Sequence, residues 1–152
     1  MDINMPTETI FYSIEKAIKA YRKFAQKRIR ESGKDITINQ MLVLIQLSDN
    51  PDVSQVELAE FLFKDYASIT RMIELMVNKG YLDRSVHRHD RRKSQLNITL
   101  NGRELVKDLS PVIRENRKQA LQGLGRKEII QLNELLNRVT LNCELEKPQN
   151  NI

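Results

Sequence analysis

His87, Arg88, His89, Asp90, Arg91, Arg92 and Lys93 form an unbroken polar run. They are the residues of this chain whose types and spacing could do chemistry. Four cations within six positions suit contact with phosphates, by charge and by hydrogen bond. The one carboxylate among them, Asp90, repels phosphate, so its role is expected to be internal. Two residues from Arg92, it can hold that guanidinium in one pose through a bidentate pair. An arginine set in advance loses less entropy on entering a narrow, electronegative minor groove. Arg88, Arg91 and Lys93 are then phosphate clamps. His87 and His89 alternate without a third ligand nearby, so no metal site is expected. Elsewhere the chain has no Gly-rich phosphate loop and no Ser/Cys–His pairing, so neither an enzyme nor a bound cofactor is expected. A lone cysteine, Cys143, cannot form an internal disulfide and reads as a small apolar residue of the last helix.

The elements that must position this run are legible on both sides of it. Leu96, Ile98 and Leu100 alternate with Gln95, Asn97 and Thr99, the pattern of a half-buried strand. With the segment from Leu82 they make a β-hairpin whose tip is the basic loop. Just before it, Ser54 and Glu57 form a capping box that opens a short helix. A brief turn at Phe63-Lys64 follows, and Asp65 caps a longer helix that ends at Lys79 with Gly80 at the C′ position. Ile69, Met72, Ile73, Met76 and Val77 share the core face of that helix. Ala67, Thr70, Arg71, Glu74 and Asn78 share the opposite, exposed face. Two short capped helices, a tight turn and a hairpin describe a winged helix–turn–helix over residues 35–100.

In that arrangement the second helix is a reader. Tyr66, Ala67, Ser68, Thr70 and Arg71 lie near its N-terminus, where partial positive charge favours phosphate. Arg71 can reach a guanine edge by two hydrogen bonds, or a phosphate. Ser68 and Thr70 are short donors and acceptors, and Ala67 or the Tyr66 ring can meet a thymine methyl.

The remaining segments predict four more helices. The first spans Thr7 to Glu31, with Phe11, Ile14, Ile18, Tyr21, Ala25 and Ile29 on one face. The second starts at the Thr37–Gln40 capping box and is apolar nearly all round, so it should be buried. Asn101 with Glu104 opens a long helix from about Gly102 to Gln122, which Pro111 should bend or split. The last, Arg126 to Cys143, should bury Ile129, Ile130, Leu132, Leu135, Leu136 and Val139. A tail from Glu144 should fray. The expected fold is one domain over 1–152, mainly α with a small β-wing. Residues 7–34 and 101–143 are not needed to complete a winged helix, yet they carry apolar faces that want a partner. Packing them across a two-fold axis would give a homodimer with reader helices about one DNA turn apart, which fits an inverted-repeat site.

Net charge is +5 with 30% charged residues. Residues 64–93 hold eight Lys/Arg against four Asp/Glu, and residues 35–63 hold only acids. Residues 1–34 are as basic as the hairpin region, so charge alone does not single out the loop. No apolar run reaches the ~20 residues of a membrane span. The start, MDINMPTETIF, lacks a basic stretch followed by an apolar one, so a cytoplasmic protein is expected.

Several short motifs occur in one order along the chain. They are Thr37-Ile38-Asn39-Gln40, Val53-Ser54-Gln55-Val56-Glu57-Leu58-Ala59, Ala67-Ser68-Ile69-Thr70-Arg71, Lys79-Gly80-Tyr81-Leu82 and Asp90-Arg91-Arg92, followed by Leu96 to Thr99 and Gly102. In this the chain resembles the MarR (multiple antibiotic resistance regulator) family of transcription factors over nearly its whole length. The resemblance implies a homodimeric winged-helix protein bound to double-stranded operator DNA, usually a repressor. Release commonly follows binding of a small aromatic or amphipathic effector, or oxidation of a cysteine. It also implies that Asp90 aims Arg92 into the minor groove. Relatives often have proline where Val86 stands and a carboxylate where His87 stands. Peroxide-sensing relatives place a cysteine early in the first helix, and this chain has none there. No residue stands out as an effector ligand. The alternative reading is a winged-helix protein–protein module without DNA binding, which usually lacks both the basic wing and the polar reader face.

Overall fold

Side chains that satisfy free backbone N–H groups decide where each helix begins, and the computed structural model, which describes residues 5–145, shows these caps in place. Of the tail expected to fray from Glu144, Glu144 is still helical, and the residues beyond Leu145 lie outside the described residues. Thr9 accepts from the Tyr12 amide and starts α1 (Ile10–Glu31). This is three residues later than Thr7, because Pro6–Glu8 form a 3-10 turn. Thr37 and Gln40 close a reciprocal capping box at the head of α2 (Ile38–Asp49). Ser54 and Glu57 do the same for α3 (Gln55–Phe61). Asp65 caps α4 (Tyr66–Asn78). An antiparallel pair follows, β1 (Leu82–Val86) and β2 (Ser94–Ile98), with Leu82 opposite Ile98 and Val86 opposite Ser94. Then come α5 (Leu100–Ala120) and α6 (Arg126–Glu144). The architecture is mainly α with a two-stranded wing, a winged helix–turn–helix.

The head of α5 departs from the sequence reading. Its first free amides are met by Thr99, whose hydroxyl accepts from the Gly102 N–H at 3.1 Å and donates to the Gly80 carbonyl. The helix therefore starts at Leu100 rather than at an Asn101 cap. Leu100, read as the third apolar residue of the strand, lies in the first helical turn and is 73% exposed. Pro111 lies inside α5 without ending it.

The chain divides into two compact units, Met1–Asn116 and Arg117–Ile152. The first holds one hydrophobic core. Met41, Val43, Leu44 and Leu47 of α2 meet Leu58 of α3, Ile69, Ile73 and Met76 of α4, Leu82 and Leu96 of the wing, and Leu105 and Leu109 of α5. Met72 and Val77 pack half-buried against it, so the expected inner face of α4 is the observed one. Burial of each large aliphatic side chain contributes roughly 1.5–3 kcal/mol, and that anchors α4 and the wing to one scaffold. Gly102 sits where α5 passes the base of the wing. A β-carbon there would press into the Tyr81 carbonyl oxygen and lie 2.8 Å from Ile98 Cγ2.

Two terminal elements leave apolar surface open. In α1 only Ala25 and Ile29 are buried, while Ile10, Phe11 and Ile18 are exposed. The second unit contains α6, and none of its residues is buried. The expected burial of Ile130, Leu132 and Leu135 is therefore not met among the described residues; each is close to half exposed. A helix needs a second surface to cover its apolar stripe, and none covers this one among the described residues. Cys143, on the same helix, is exposed rather than packed.

Candidate nucleic-acid interface

The N-terminus of α4 is held by a chain of side-chain bonds. Asp65 Oδ1 accepts from the Ser68 amide at 2.8 Å, and Asp65 Oδ2 accepts from the Ser68 hydroxyl at 2.7 Å. These bonds, the hydroxyl first, hold the Asp65 carboxyl below its ordinary range. Ser68 Oγ in turn accepts from Arg71 Nη2 at 3.4 Å. The structure therefore shows the Ser68 hydroxyl as part of the cap, with its hydrogen already used. Thr70 is similarly committed. Its hydroxyl donates to the Tyr66 carbonyl at 3.0 Å and accepts from Gln55 Nε2. Gln55, on α3, is a positioning residue that sequence reasoning missed. Its partner lies fifteen positions away across the turn, and no local pattern signals that bond. Tyr66, Ala67 and Arg71 are exposed on α4. Arg71 keeps most of its five N–H donors available.

The wing is ordered by backbone-directed bonds. The His87 amide donates to the Lys93 carbonyl at 2.9 Å, and the Lys93 amide to the Asp90 carbonyl at 3.1 Å. His87 Nδ1 accepts from the amides of His89 and Asp90, both at 3.2 Å. Asp90 Oδ1 accepts from the Arg92 amide at 3.0 Å. The expected bidentate pair between Asp90 and the Arg92 guanidinium is not what the structure shows. A carboxylate two residues before an amide closes an Asx turn more readily than it reaches back along a long flexible side chain. Asp90 thus shapes the loop that carries Arg92. Arg88, Arg91, Arg92 and Lys93 are all exposed, and none of them is in an ion pair among the described residues.

The interface thus offers a reader helix with Tyr66, Ala67 and Arg71 outward, and a stiffened loop bearing four cations. The model of the MarR family matches residues 34–93, the stretch that carries α2, α3, α4 and the wing loop. Over residues 34–93 the chain is similar to the MarR family, and that stretch folds as a winged helix–turn–helix. Solved structures extend the likeness in fold beyond that stretch. Bordetella bronchiseptica BpsR is 24% identical, with 91% of this chain and 98% of that chain covered and a TM-score of 0.82; its DNA binding is regulated by 6-hydroxynicotinic acid. A mutant MarR from E. coli, solved with operator DNA, is 22% identical over 91% of this chain and 99% of that one, at a TM-score of 0.79. A probable transcriptional regulator from Pseudomonas aeruginosa is 24% identical over 89% and 99%, at 0.78. No helix among the described residues is long and apolar enough to cross a membrane. No group of three His, Cys, Asp or Glu among them is placed to hold a metal ion.

Proposed function

We propose that this protein is a MarR-family, sequence-specific, double-stranded-DNA-binding transcription regulator that acts in the cytoplasm. The observation that carries the reading is the pairing of an outward Tyr66–Ala67–Arg71 edge on a capped helix with a wing whose four cations have no acidic partners among the described residues. Arg71 reads base edges with Tyr66 and Ala67 beside it. Ser68 and Thr70 contribute through their remaining lone pairs. Arg92 enters the minor groove from the loop that Asp90 shapes, and Arg88, Arg91 and Lys93 hold phosphates. The chain binds and does not turn over a substrate.

We further propose that residues 7–34 and 101–143 are dimerisation helices, which makes 1–152 one working module as a homodimer. The open apolar stripes of α1 and α6 support this. Two copies related by a two-fold axis fit an inverted-repeat operator, and the simplest outcome of occupying it is repression. An aromatic or amphipathic effector that releases DNA is consistent with the regulated relative BpsR. The cavity between α2 and β2, near Leu47, Pro51, Ile98 and Arg103, has a volume of about 80 Å³. That is well below the ~300 Å³ of ordinary ligand pockets, so we do not assign it that role.

The decisive experiment selects genomic fragments with the purified protein and measures mass and affinity on the recovered duplex. Expected are a dimer, a symmetric site, and affinity that falls about one log unit per log unit of salt for each phosphate contacted. A folded protein that retains no fragment at physiological salt refutes the reading and leaves the protein–protein module.

A further inference from the structure

Phe63 carries two costs that a merely structural residue avoids. It is the one non-glycine residue with positive φ among the described residues, at 55°, and its side chain is 92% exposed. The backbone conformation follows from how α3 stops. The Phe63 amide donates to the Glu60 carbonyl at 3.2 Å, and the Lys64 amide to the Ala59 carbonyl at 2.9 Å. These are the paired bonds of a Schellman cap, whose C′ residue is left-handed and usually glycine. The same chain places glycine after α1 and after α4, Gly33 at φ 78° and Gly80 at φ 77°. At the end of α3 it places an aromatic residue that no other described residue covers.

The position of that ring says what covers it. Phe63 precedes the Asp65 cap by two residues, a span of at most about 7 Å. It is thus carried at the end of α4 that presents Tyr66, itself 56% exposed, with the exposed cation Lys64 beside it. This patch is continuous with the candidate nucleic-acid interface. A phenyl ring has no hydrogen-bonding atom. In the major groove its apolar complement is the 5-methyl group of thymine.

We infer that Phe63 is a specificity-determining residue that packs, beside Tyr66, on thymine methyl groups of the bound site, while Lys64 takes an adjacent phosphate. The inference rests on the DNA-binding reading and adds a base preference to it.

The test uses the full-length protein and the duplex it selects, compared with the same duplex carrying uracil for every thymine, which removes only methyl groups. Wild type is expected to lose about fourfold in affinity for each contacted methyl. Phe63→Gly should discriminate less between the two duplexes, by about fourfold for each methyl that Phe63 covers, and keep only the part that Tyr66 contributes. Its melting temperature should be unchanged or a few degrees higher, because glycine suits the left-handed position. Phe63→Asn, which also tolerates that conformation, should behave alike. A wild-type protein that binds its duplex yet ignores uracil overturns the inference and leaves DNA binding intact. So does a Phe63→Gly protein that keeps the wild-type thymine preference, or one whose melting temperature falls by many degrees. Failure of wild type to bind any duplex removes the DNA-binding reading itself.

Discussion

Replacing Asp90 tests whether the wing is aimed by charge or by backbone. In the structure the Asp90 carboxylate accepts from the Arg92 amide at 3.0 Å and lies in a loop that bears four exposed cations. A hydrogen bond of this kind contributes about 1 kcal/mol net. Asp90→Ala removes it and lets the loop sample other conformations, which Arg92 must leave on binding. For a dimer with two wings on one operator the penalty is about 2 kcal/mol, or roughly 30-fold in affinity. Asp90→Asn keeps an acceptor oxygen at the same place and removes a negative charge from the surface proposed to face phosphate. It should bind as well as wild type or a few-fold better. Fluorescence anisotropy on the selected duplex, at one fixed salt concentration, measures both variants. Had the carboxylate worked by pairing with the guanidinium, Asp90→Asn would fall together with Asp90→Ala. That result would refute the backbone account given above.

Arg92→Ala should weaken binding at every site and lower the salt slope by about one, whereas Arg71→Ala should also change base preference; equal binding by Arg92→Ala and wild type at moderate salt counts against the wing assignment. Gly102→Ala should cost about 2–3 kcal/mol, since its β-carbon meets the Tyr81 backbone and Ile98 Cγ2 at 2.8 Å; an unchanged urea midpoint would show that α5 shifts freely. Glu57, held low first by the Ser54 backbone amide, and Asp65, held low first by the Ser68 hydroxyl, lose these bonds on unfolding. Their contribution is therefore full above the unfolded carboxylate values near pH ~4 and is lost as pH falls through the lower folded values. The pair Glu57→Gln and Asp65→Asn should flatten the acid limb of stability, and urea midpoints measured from neutral pH downward decide it. Asn116 is 1% exposed, and neither of its amide atoms has a hydrogen-bond partner among the described residues, so Asn116→Leu should stabilise by about 1–2 kcal/mol; a lower urea midpoint would show that its amide has a partner.

Much of the fold was legible because its signals are local. Thr37 with Gln40, Ser54 with Glu57 and Asp65 with Ser68 are cap partners three residues apart, so sequence spacing alone places them. Ile69, Ile73 and Met76 turn inward because a helical period puts them on one face. Where two caps competed, locality was not enough. Asn101 and Thr99 both suit an N-cap, and Thr99 takes it because the antiparallel pairing brings it beside Gly80. The open face of α6 was equally hidden, since an apolar stripe states that a helix wants cover and not whether its own chain provides it.

By itself the sequence determined the order of elements, the outward edge of the reader helix and the basic loop at the wing tip, since each depends on contacts within a few residues. Tertiary structure alone decided what each functional side chain is free to do. It commits the Ser68 hydroxyl to Asp65 and the Thr70 hydroxyl to Gln55. It turns Asp90 toward the Arg92 amide, and it holds Phe63 left-handed with its ring uncovered. The physical reason is that a lone pair or an N–H goes to whichever partner the folded backbone brings within about 3 Å, and spacing along the chain does not fix that distance.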